Sequence, residues 1–152
     1  VRMGEMLEYT YVNGNAYGTT KKSVEEARAR GKNVILDVDT IGAMKIRALC
    51  PDATLIYILP PSWDELKSRL SSTGIYTEEE VNALMEIAEE EISCANNYDY
   101  ILVNDTISNT LSRFAQIIHS NRYSRNCMKE FLDSYIDGEV KPHVQSYKEA
   151  LL

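Results

Sequence analysis

The stretch Asn33-Val34-Ile35-Leu36-Asp37-Val38-Asp39 decides how this chain is read. Its apolar residues run almost without a break and end in two carboxylates. A strand that is apolar nearly throughout is buried on both faces, as in a parallel sheet. The pattern recurs downstream. Thr54-Leu55-Ile56-Tyr57-Ile58-Leu59 is a second such strand, broken by Pro60-Pro61, and Tyr100-Ile101-Leu102-Val103 is a third. Residues 42–49 and 63–70 suit helices. Val81, Leu84, Met85, Ala88, Ile92 and Ala95 mark one long amphipathic helix, and Ile107, Leu111, Phe114, Ala115 and Ile118 another. Ser62-Trp63-Asp64-Glu65 and Thr77-Glu78-Glu79-Glu80 have capping-box form, and Asp105 stands where it can cap the last of these helices. Strand–helix alternation of this kind predicts an α/β fold, a parallel sheet flanked by helices.

Upstream of that stretch the grammar differs. Asn13-Gly14 among Tyr9, Tyr11, Val12 and Tyr17 predicts a β-hairpin, and residues 20–30 a helix closed by Gly31. Beyond Arg122 the signals mix helix and turn, with Gly138 and Pro142. At 152 residues the chain has the size of one domain, and 44% hydrophobic with 26% charged residues is an ordinary globular balance. Sixteen basic against 23 acidic residues, net charge −7, disfavour nucleic acid or an anionic membrane as partner, because phosphate-neutralising cations are outnumbered. No apolar run approaches a membrane span and no secretory signal opens the chain. Cys50, Cys94 and Cys127 form no metal-binding spacing and read as reduced thiols of a cytoplasmic protein. The acidic segment 78–91, seven glutamates and no lysine or arginine, reads as a solvated helix face.

In an open parallel sheet ligands meet the carboxyl ends of the strands, which selects Asp37, Asp39, Asn104 and Asp105. Two roles are open for the first pair. A carboxylate ending a buried strand can hold Mg²⁺ through water, or it can cap the helix that follows. A phosphate-binding G-x-x-x-x-G-K-[ST] loop is absent from the 152 residues; Gly31-Lys32 has Glu26 where the first glycine belongs and reads as a helix end.

Gly4-Glu5-Met6-Leu7-Glu8-Tyr9, Gly14-Asn15-Ala16-Tyr17-Gly18-Thr19, Ile35-Leu36-Asp37-Val38-Asp39 with Gly42, Ile58-Leu59-Pro60-Pro61-Ser62 and Val103-Asn104-Asp105 stand in the order and spacing of guanylate kinases. Over residues 1–120 the chain resembles that family. The resemblance implies a partial P-loop kinase fold: residues 1–32 would be the remainder of a small β-rich GMP-binding subdomain, 33–120 the core with a lid near 70–77, and 121–152 an extension. It implies transfer of phosphate from ATP to GMP with Mg²⁺, in the complete parent. Glu8 would read guanine by accepting its N1–H and N2–H. Thr19 would approach O6, Asp39 would lie near the base, and the Tyr17 hydroxyl would reach the GMP phosphate. Asp37 would stand by the transferring phosphate and its Mg²⁺, Arg69 would serve catalysis and ATP binding, and Asn104 would lie at the adenine pocket. Hairpin packing is the other reading of Tyr17 and Thr19.

The departures bear on the same point. The family's phosphate-binding loop, first strand and GMP-clamping arginines precede the region matched here. Together with the start at Val1, this leads us to expect a chain that begins inside a longer protein. The lid keeps Arg69 but reads Ser71-Ser72-Thr73-Gly74-Ile75 where a second arginine is expected and Leu84 at a third, and Ile41 replaces a glutamine. Lid cations stabilise charge on the phosphoryl group, so the chain alone is expected to be nearly inactive. An inactive guanylate-kinase-like module that binds a protein partner, or a truncated fragment that folds poorly, is the alternative. The family's first strand should separate residues 34–38 from 55–59, so both are expected to lack a neighbour.

Overall fold

A computed structural model describes residues 3–12, 15–125 and 127–137. The chain forms two compact units, Val1–Asp105 and Thr106–Leu152. The first carries every candidate site residue.

It opens with a 3₁₀ turn, Met3–Glu5, and an antiparallel hairpin of β1 (Met6–Val12) and β2 (Asn15–Thr20). The register sets Glu8 opposite Thr19, Tyr9 opposite Gly18 and Thr10 opposite Tyr17. The expected Asn13-Gly14 turn lies outside the described residues. Gly18 is fixed by crowding: a Cβ there would press on the Glu8 carbonyl oxygen and stand 2.8 Å from Tyr9 Cα. A glycine inside a strand marks such close backbone approach.

Helix α1 (Lys21–Ala29) is capped by the Thr20 side chain, which accepts from Ser23 N at 3.2 Å. It ends at Gly31, whose φ of 71° only glycine adopts readily, with Gly31 N donating to Arg28 O and Lys32 N to Ala27 O. Helix α2 (Thr40–Leu49) is capped by Asp39, and its Ala43–Ile46 face is buried, packing on β1.

Strands β3 (Ile56–Leu59) and β4 (Tyr100–Val103) pair in parallel, and Asn104 N continues the ladder to Leu59 O at 2.7 Å. Arg47 and Asp99 anchor the start of β3. Asp99 Oδ2 accepts from Arg47 Nη2 at 2.6 Å and from Leu55 N at 2.8 Å, while Arg47 Nη1 donates to the carbonyls of Pro51 and Ala53. Helices α3 (Trp63–Ser72) and α4 (Glu78–Ile92) flank a turn with Gly74 at φ 66°. A 3₁₀ turn, Ser93–Asn97, completes the unit. The second unit contains α5 (Ile107–Asn121) and α6 (Lys129–Ile136). No helix among the described residues is long and apolar enough to cross a membrane.

Five expectations need correction. Residues 34–38 form no strand, because a strand exists only where a neighbour completes its hydrogen bonds, and among the described residues the parallel sheet consists of β3 and β4 alone. Two-sided burial of the strands fails for the same reason: Ile58 and Ile101 are 54% and 57% exposed. The box at Ser62 is half made. Ser62 accepts from Glu65 N, but the Glu65 carboxylate turns to Arg69 Nε at 2.8 Å, one helical turn on. Helix α5 is capped by Thr106, not Asp105. The long helix also stops short: Ala95 is buried, but in the 3₁₀ turn after α4.

The core is thin. Leu7, Ala43, Ile46, Leu55, Val81, Ala95 and Leu102 are its buried apolar residues among those described.

Candidate functional site

The hairpin and the start of α2 build the site. Glu8 is the buried charged residue of the described chain, 8% exposed, which is unusual for a carboxylate unless it is partnered. Thr19 supplies a partner: its Oγ1 donates to Glu8 Oε1 at 2.9 Å. The pairing follows from register, since Glu8 and Thr19 face each other across the ladder. Tyr17, two residues before Thr19, lies on the same strand face and is 58% exposed.

Asp39 joins from the other side. Its Oδ1 accepts from Gly42 N at 2.6 Å, a short charge-assisted bond that starts α2. A Cβ on Gly42 would lie 3.1 Å from Asp39 Oδ1, 3.2 Å from Val38 Cβ and 3.8 Å from Glu8 Oε2. The Glu8 and Asp39 carboxylates therefore flank one bare point of backbone. Two acceptor-only groups converging there suit a ligand edge rich in N–H donors. Asp39 thus takes the capping role left open in the sequence while keeping Oδ2, the oxygen that the Gly42 bond does not use. Next to this cluster, Lys45 Nζ of α2 stands 5.0 Å from the Tyr9 ring centroid, within cation–π range.

Asp37 is exposed two residues before the cap. No group of three metal-ligating side chains occurs among the described residues. Mg²⁺ does not require one, since it keeps several waters and is commonly bound by one or two carboxylates plus substrate phosphates. An exposed Asp37 fits an ion delivered with a nucleotide.

Arg69 and Asn104 come together at the carboxyl ends of β3 and β4. Arg69 Nη2 donates to the carbonyl of Asp105 at 3.2 Å while Nε holds Glu65. Asn104 is fixed through its backbone bond to Leu59.

Sequence reasoning missed three features. Gly18 is required by close backbone approach and Gly42 sits in a tight one, and the signal was available in a glycine set within a strand and another three residues after a capping Asp. The third is long-range. Thr40 Oγ1 donates to Glu91 Oε1 at 3.3 Å, linking the first turn of α2 to the last turn of α4. Beside it Tyr57 and Tyr98 stack edge to face, centroids 5.0 Å apart and planes at 81°. Burial raises both phenol pKa values above the usual range, and the Glu91 charge adds to the effect on each.

The guanylate kinase family matches residues 1–121. A guanylate kinase of Clostridium acetobutylicum is 40% identical over 142 residues, covering 93% of this chain and 66% of that protein. One from Francisella tularensis is 44% identical over 116 residues, covering 76% of this chain and 61% of its own length. The crystal structure of guanylate kinase from Anaplasma phagocytophilum superposes with a TM-score of 0.67 at 29% identity, over 91% of this chain and 68% of that one. The chain spans about three-fifths to two-thirds of the length of these curated relatives. The matched residues include the hairpin, the Asp37–Asp39 segment and the end of β4, and the chain belongs to the guanylate kinase family.

Proposed function

We propose that this chain carries the acceptor half of a guanylate kinase, binding GMP for phosphoryl transfer from ATP. The observation that carries the reading is the buried Glu8 carboxylate, held by Thr19 and facing the same point as Asp39. Guanine offers adjacent N1–H and N2–H donors to such a carboxylate; adenine offers no such pair. Thr19 and Asp39 complete the base contacts, and the exposed Tyr17 hydroxyl receives the GMP phosphate. In the transfer, a GMP phosphate oxygen attacks the γ-phosphorus of ATP, that P–O bond forms, the bond to the β-bridging oxygen breaks, and ADP leaves with the electron pair. Mg²⁺, when bound, screens charge on the phosphates. Asp37 would hold it through water, Arg69 would meet charge on the transferring group, and Asn104 would border the adenine of ATP.

The loop that cradles the ATP phosphates belongs, in this proposal, to sequence outside these 152 residues. Residues 1–32 serve GMP, 70–77 act as the lid and 121–152 extend the core, in a cytoplasmic protein. The chain alone therefore binds GMP and forms little GDP. A second reading, a guanylate-kinase-like module that has lost catalysis and binds a protein partner, is favoured by one observation. Arg69, the lid arginine that remains, is engaged by Glu65 and by the Asp105 carbonyl, while Ser71–Ile75 and Leu84 supply no cation.

Calorimetric titration with GMP, AMP and Mg-ATP separates these. GMP-selective binding that Glu8→Ala abolishes supports the acceptor half-site. Equal loss for GMP and AMP in Glu8→Ala removes the base-reading role, and no binding of any nucleotide leaves the second reading. Rapid GDP formation by the purified chain would contradict the assignment of the phosphate loop to other sequence.

A further inference from the structure

We infer that Glu91 is a positioning residue for Asp39, acting through Thr40, and that this contact sharpens discrimination of guanine. The inference rests on the guanine-site reading above. Thr40 is the first residue of α2 and directly follows its cap, Asp39. Asp39 is oriented by its bond to Gly42 within that same turn, so whatever fixes the turn fixes the carboxylate. Glu91 fixes it from 51 residues away, at the last turn of α4. A negative charge beside the first turn of a helix is also favourable toward the helix dipole.

The surroundings make the contact a junction of several elements. Glu91 acts electrostatically on Tyr57 of β3 and Tyr98 after the 3₁₀ turn, Asp39 acts on Tyr98, and Cys94 acts on both tyrosines. At its far end α4 is closed by a complete capping box between Thr77 and Glu80, and its carboxyl end bears on the turn that carries Asp39. At 3.3 Å the Thr40–Glu91 bond is long for a hydroxyl donor and weak in itself. Its leverage comes from where it acts.

The test uses the full chain and two ligands, GMP and inosine monophosphate, which lacks the 2-amino group. Thr40→Val and Glu91→Ala should each lower GMP affinity about 3–10-fold and the inosine ligand less, so that the preference narrows. Glu91→Gln keeps an acceptor and should retain most of the preference. The double variant Thr40→Val/Glu91→Ala should be no worse than the more damaging single change, because the two act through one contact. An unchanged preference in folded Thr40→Val overturns the inference, and so do additive losses. Near-ultraviolet titration of the tyrosines gives a ligand-free readout, in which Glu91→Gln should lower their midpoint. A lowered midpoint with unchanged ligand preference in the Thr40 and Glu91 variants shows a structural contact only and also overturns it. Glu8→Ala separates the levels. If it loses GMP while Thr40→Val does not, the positioning role fails alone; if it keeps GMP, the guanine reading fails and takes this inference with it.

Discussion

The Thr19 hydroxyl donates to Glu8 Oε1 at 2.9 Å across the β1–β2 hairpin, the partner of a carboxylate only 8% exposed. Thr19→Val keeps the shape and removes the donor. We expect a loss of about 1–2 kcal/mol in stability, since a buried charged acceptor is left short of a partner. GMP binding should weaken roughly tenfold as Glu8 relaxes. Urea unfolding and calorimetry measure the two; full GMP affinity in the variant would detach Thr19 from the site.

Gly18→Ala should damage the hairpin more than any surface change. The new methyl meets the Glu8 carbonyl and Tyr9 Cα, backbone atoms that cannot step aside as the Met6 side chain can. Overpacking of this kind costs about 1–3 kcal/mol. A melting temperature equal to that of the unmodified chain would show that the strands separate freely.

Acid should loosen α4 from its N-terminus. Glu80 takes bonds from the backbone and side chain of Thr77, which hold its pKa below the ordinary glutamate value. A depressed carboxylate contributes stability that is present above its unfolded pKa, about 4.3, and is lost as pH falls through the folded value. Helicity should therefore drop below about pH 4. Glu80→Gln should remove this pH-dependent part, and identical acid titrations of the two chains by circular dichroism would refute the assignment.

Asp99→Ala should unfasten the start of β3. One oxygen of Asp99 serves both Arg47 Nη2 and Leu55 N, so its removal leaves a part-buried backbone donor and a cation without that partner. We expect about 2 kcal/mol of destabilisation, with the site cluster at Glu8 unchanged. Hydrogen exchange should show the loss at the β3 amides first, and uniform loss across the hairpin as well would argue against a local clamp.

What the sequence shows well is what short-range chemistry decides. The helices follow from periodicity and caps, and Gly31 and Gly74 fall where left-handed turns were needed. Local competition defeats it in small ways: Glu65 leaves the Ser62 box for Arg69, and Thr106 displaces Asp105 as a cap. The larger miss is residues 34–38, whose composition is that of a buried strand. Composition states a preference, whereas a ladder needs a partner, and no spacing within the segment encodes one. The site divides the same way. Asp39 is selected by the strand-end rule as well as by the family resemblance, Glu8 and Thr19 by the resemblance alone, and the register explains how these two meet. The Thr40–Glu91 contact joins residues with no local relation and becomes visible only when two helices are placed side by side.

The two-stranded parallel sheet has a colloidal consequence. Among the described residues β3 and β4 pair only with each other, so each has an edge that no other described strand covers, and Ile58, Ile101 and Val103 of the same sheet are exposed. Such an edge is a template for another strand. Solutions of the chain should therefore be limited by self-association through this sheet, and at concentrations where the hairpin alone would remain dispersed.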